Sequence, residues 1–113
     1  MSDLHSPRLD ILPMLHRQAW AELVVRVQVR AEAQDYLDID ALIEHARIDL
    51  AMMLAAGRAI YGAAFNPQIT LKALSYFEDG TVKELPDAVK QRLWLAVQAV
   101  DLDRLPVLSD ARP

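Results

Sequence analysis

The stretch WAELVVRVQVRAEA, residues 20–33, decides the fold. Its middle, Val24-Val25-Arg26-Val27-Gln28-Val29, alternates apolar and polar residues as a half-buried strand does. Its flanks do not. Ala19 to Leu23 and Arg30 to Ala33 are rich in good helix formers. Leu15, Trp20, Leu23, Val24 and Val27 also recur at helical spacing. The segment therefore reads as a helix, and with it the chain loses its best strand. No Asn-Gly hairpin signal occurs, and a helical pattern leads into the one Asp-Gly pair, Asp79-Gly80. The fold class expected is all-α.

Working outward, this first helix starts near Pro13, a residue suited to a first helical position, and runs to about Arg30. A second runs from about Asp35 to His45. A third follows Asp49, a natural N-cap, and reaches Tyr61, with Gly62 placed to end it. Its small residues Ala51, Ala55, Ala56 and Gly57 leave room for a close helical neighbour. Asn66-Pro67 opens a fourth, with Ile69, Leu71, Leu74 and Phe77 on its apolar side and Gly80 as its stop. A fifth starts near Pro86 and carries Val89, Leu93, Ala96, Val97 and Val100 on one face. The ends, about 1–10 and 103–113, read as frayed. Residues 1–113 are thus expected to form a single helical domain, an irregular bundle of four to five helices with antiparallel neighbours.

The composition agrees with a domain that has a core. Hydrophobic residues make up 53 % of the chain and charged residues 25 %. The net charge of -4 argues against nucleic acid as a partner, because a basic surface supplies most of that affinity. With no cysteine, disulfides and thiolate chemistry are excluded. No apolar run approaches the roughly 18 residues that cross a bilayer, and residues 1–10 do not read as a signal peptide. The expectation is a cytoplasmic protein without a membrane partner.

The densest polar cluster is Arg26, Arg30, Glu32, Asp35, Asp38 and Asp40. On a helical wheel of about 100° per residue, Asp35 falls beside the apolar stripe of Ile39, Leu42, Ile43 and Ala46. A carboxylate there needs a partner. It either caps the second helix and faces its dipole or is a functional carboxylate held partly buried. Arg26 or Arg30 serves as its partner in both cases. Asp38 lies at the edge of the stripe near His45, and Asp40, Glu44 and Arg47 fall on the solvent side. Asp38 and His45 alone make no metal site, since no third ligand has matching spacing. The serines sit in no nucleophile elbow, and the chain has neither a phosphate loop nor its lysine. Trp20, Trp94 and Leu95 are candidates for an exposed apolar surface, with core packing the alternative for Trp94. No catalytic residue and no metal ligand is assigned.

The segment from Arg30 to Leu42, RAEAQDYLDIDAL, resembles the R-x-x-x-K-D-Y-x-D-I/L helix of AbiEii/AbiGii-type nucleotidyltransferases, bacterial proteins of abortive-infection and toxin–antitoxin systems. FNPQITLKALSYF, residues 65–77, is similar to the C-terminal helical part of some members. The resemblance covers about residues 20–101. It implies an α/β domain elsewhere, with a Gly-Ser/Thr phosphate loop and an Asp-x-Asp pair for Mg²⁺; neither occurs in these 113 residues. The family's lysine upstream of the aspartate is also missing, and Arg26 is the nearest cation. Asp35 and Asp38 match the motif but cannot transfer a nucleotide without the metal and the cationic clamp.

Three functions follow as expectations. The chain is a noncatalytic helical module that binds a partner protein carrying the catalytic half, or a diverged remnant of one. Alternatively, Arg26, Arg30, Asp35 and Asp38 complete a nucleotide site with a separate catalytic chain, and only then are Mg²⁺ and nucleotide its cofactors. The third is a homo-oligomeric structural or regulatory protein.

Overall fold

The computed structural model describes residues 16–108, and among them the secondary structure is helical with no strand. Five α-helices follow in order: α1 Arg17–Val29, α2 Ala33–His45, α3 Leu50–Tyr61, α4 Pro67–Ala73 and α5 Asp87–Gln98. Three 3₁₀ turns, Gly62–Ala64, Gly80–Glu84 and Leu102–Arg104, join or follow them. The alternating valines of α1 are helical, as the flanking residues require. The start expected near Pro13 lies outside the described residues.

Local signals set several of the boundaries. The Asp49 carboxylate accepts from the Met52 N–H at 3.0 Å and opens α3. Gly62, at φ 62°, closes it. The Asn66 side chain accepts from the Gln68 N–H at 2.9 Å, with Pro67 as the first helical residue of α4. α4 then stops at Ala73, well short of the expected Gly80. Leu74 is its C-cap, and the chain turns there so that Leu74 is fully buried.

The core gathers on α1. This helix packs most extensively against α3 and also meets α2 and α4. Trp20, Ala21, Leu23, Val24 and Val27 face inward from it, toward Ile39, Leu42, Met53 and Leu54. The small residues of α3 lie at this contact side: Ala55, Ala56 and Gly57 are buried. The Phe65 ring lies so close that a Cβ on Gly57 would stand 2.8 Å from it. α5 packs on α2 through Val89 and Leu93. Trp20 is a core residue and not part of an apolar surface; its indole N–H has no acceptor among the described residues.

Two expectations on α4 and the tail are corrected. Ile69 is exposed and Thr70 buried. The Thr70 hydroxyl donates to the Val24 carbonyl at 2.7 Å and accepts from the Gln28 amide at 2.9 Å, so burial leaves it satisfied. The segment after Leu102 is not frayed throughout. Leu102–Arg104 is a 3₁₀ turn capped by Asp101, and Leu105 packs into the core. Residues 109–113 lie outside the described range. No helix among the described residues is long and apolar enough to cross a membrane.

Candidate functional site

Arg30 ends the first helix as its C-cap, and only Ala31 and Glu32 separate it from the start of α2. That tight connection brings the cluster read from the sequence together. The Asp35 carboxylate is 1 % exposed. Arg30 grips it with both arms of its fork, Nε to Oδ2 at 2.8 Å and Nη2 to Oδ1 at 3.0 Å. Arg26 adds Nη1 at 3.5 Å from Oδ1 and reaches back to Glu22. Hydrogen bonding of Arg30 itself to Asp35 raises the Arg30 pKa above its ordinary value.

Asp35 is not the N-cap of α2. Glu32 occupies that position, and its side chain makes no capping bond. The cap comes from elsewhere: the Thr81 hydroxyl accepts from the Ala33 N–H at 2.8 Å. Asp35 sits in the first turn, where its charge faces the positive end of the helix dipole.

Asp38 does not join the arginines. Its Oδ1 accepts from Gln34 Nε2 at 2.9 Å, one turn back on the same helix. It does not combine with His45 either, and no group of three metal-competent side chains exists among the described residues. Asp40, expected on the solvent side, is 7 % exposed. Arg92 of α5 covers it with a second fork, both bonds 2.8 Å, and stands 3.6 Å from Glu44. Sequence reading missed this pair because its members are 52 residues apart. One signal was present: Asp40 and Glu44 are like charges one turn apart, which a helix tolerates best with a cation between them.

Beside the Arg30–Asp35 pair lies a groove of about 270 Å³, lined in part by Gln28, Arg30, Tyr36, Tyr76 and Asp79. Tyr36 donates its hydroxyl to the Ala73 carbonyl at 3.1 Å. Burial, with the carboxylates of Asp35 and Asp79 nearby, pushes the Tyr36 pKa above its usual 10.0, so the phenol stays a donor. Ala73 and Tyr76 also wall a second, apolar groove of about 550 Å³ with Ile69, Lys72 and Ser75. Of the aromatic residues, Tyr36 is buried while Tyr61 and Tyr76 are exposed. Trp94 and Leu95 project from α5, 46 % and 51 % exposed.

Chemically, the Asp35 oxygens face two guanidinia and are closed to solvent, so no hydrated cation reaches them. The arginines keep a solvent-facing side: the Arg26 and Arg30 side chains are 39 % and 51 % exposed. The chain matches no family model, no curated protein and no solved structure.

Proposed function

We propose that this chain is a noncatalytic helical module that works by binding another protein, a module resembling the C-terminal helical region of an AbiEii-type nucleotidyltransferase. The observation that carries this reading is the inward use of the polar corner. Asp35 and Asp40 are both buried under arginine forks. Charges committed in this way hold helices together and leave neither of these two carboxylates for a reacting metal or proton. What the surface offers instead is apolar. On α5 the exposed residues after Asp87 in the first turn, Ala88, Gln91, Trp94, Leu95 and Gln98, carry no charge. A tryptophan on such a face is the residue type that most often anchors a protein interface.

The partner in this reading is an α/β domain with a Gly-Ser phosphate loop and an Asp-x-Asp pair. Sedimentation velocity of the chain mixed with such a domain encoded beside it is the test. A complex forms, and Trp94→Asp weakens it by roughly tenfold or more. A wild-type chain that associates with no such neighbour would sink the proposal.

One observation favours a second reading. The Arg26 and Arg30 side chains are half exposed while Asp35 holds both from within, and Glu22 stands 3.9 Å from Arg26. Two guanidinia held side by side match a phosphate group. In a nucleotide site completed across the interface, Asp35 is then a positioning residue. Calorimetric titration with ATP and Mg²⁺ in the presence of the α/β domain tests it. Arg30→Ala reduces affinity, and Asp35→Ala does so through the lost orientation. Binding indifferent to Asp35→Ala removes this reading.

A further inference from the structure

We infer that a second copy of this chain covers the face formed by α4 and the turn after it, in a two-fold pair that sets Lys72 of each copy against Asp79 of the other. The inference rests on the reading that the chain works through protein contacts, and it names the occupant of one face. Tyr76, 52 % exposed, lines both grooves of that face, one with Val29, 75 % exposed, and the other with Ile69, 46 % exposed. Tyr76 and Ala73 are shared by the two grooves and separate them.

The charges on this face are few and placed in a particular way. The first groove contains Arg30 and Asp79, with the exposed Glu78 beside Asp79 in the chain, and the second contains Lys72. Arg30 is held by Asp35. Asp79 and Lys72 have no side-chain partner among the described residues. An unpaired carboxylate therefore lines the groove on one side of Tyr76, and an unpaired ammonium lines the groove on the other. Such an arrangement is complementary to itself under a two-fold axis through Tyr76. Each copy presents its cation where the other presents its anion, and every contact occurs twice. A different protein would have to carry the reversed set; a second copy already does. The apolar centre supplies the driving force, and the two ion pairs fix the register. Repulsion between two chains of net charge -4 is screened beyond about 8 Å at physiological salt. The α5 face has no such pattern. Its exposed residues are Asp87, Ala88, Gln91, Trp94, Leu95 and Gln98, one carboxylate with no exposed cation, so no pair of opposite charges there selects a register between copies.

Sedimentation velocity of the full chain up to about 300 µM reads the association directly. Wild type shows a monomer–dimer equilibrium, and Tyr76→Asp abolishes it. Lys72→Glu or Asp79→Lys alone sets like charges opposite each other twice and weakens the dimer roughly tenfold or more. Lys72→Glu with Asp79→Lys restores it to within about threefold of wild type. Trp94→Asp leaves it intact. Circular dichroism confirms that each variant is folded. A wild-type monomer throughout overturns the inference, as does a double variant as weak as the singles or a dimer lost only with Trp94→Asp. Binding of the α/β domain is scored separately, so either reading can fail while the other stands.

Discussion

Gly80→Ala is expected to cost about 3–5 kcal/mol, because three effects fall on one position. Gly80 has φ +55°, where an L side chain adds about 1–2 kcal/mol of strain. A Cβ there would fall well inside contact distance of the Ala31 carbonyl oxygen. Neither atom can yield alone, since the Cβ is fixed by the backbone of one tight connection and the oxygen belongs to the backbone of another. The 3₁₀ turn must withdraw from the α1–α2 junction. Withdrawal breaks the Thr81 cap on Ala33, worth about 1 kcal/mol, and exposes Val82, worth about another 1.5 kcal/mol or more. Urea unfolding followed by circular dichroism checks this as a lower midpoint at unchanged slope. Thr81→Val removes only the hydroxyl and costs about 1 kcal/mol. A Gly80→Ala loss no larger than that of Thr81→Val would show that the close approach carries no weight.

Asp35→Ala is the second large effect, expected at about 2–3 kcal/mol. Breaking a buried ion pair by removing one partner often costs more. Here the arginines left behind are half exposed and turn to water, which lowers the penalty. What is lost is the joint between the end of α1 and the first turn of α2. The triple replacement Arg26→Met, Arg30→Met and Asp35→Leu is expected to recover stability to within about 1 kcal/mol of wild type. Apolar residues of similar volume remove all three charges together and leave none unpaired. If the corner serves only to join helices, the triple variant binds the α/β domain as wild type does. If it holds a phosphate, the variant folds and binds protein but loses the nucleotide. The same denaturation curves and calorimetry decide both points.

The helical class was legible because it rests on short-range physics. Asp49, Asn66-Pro67 and Gly62 mark helix ends through bonds and dihedral angles within a few residues of themselves. The company of Asp35 was legible for the same reason: Arg30 is only five residues away. The errors share a different cause. Asp40 was placed in solvent because a wheel shows where a side chain points and not what covers it; α5 covers it. Ile69 and Thr70 exchanged places because Thr70 finds its two partners on α1, more than 40 residues away. α4 stops early, with Leu74 fully buried at the C-cap and Phe77 edge-on to the Tyr36 ring at 6.5 Å, a contact 41 residues away in sequence. The cap on α2 came from Thr81 and could not be read from the residues around Glu32.

The two tryptophans also divide the molecule for spectroscopy. Trp20 is enclosed in the core, and Trp94 stands in water on α5. Their indoles report on different events, the first on loss of packing and the second on coverage of one face. An acrylamide quencher separates the two signals in an unlabelled sample. Folding and docking are therefore measurable in one cuvette, with each single-tryptophan variant serving as the other's blank.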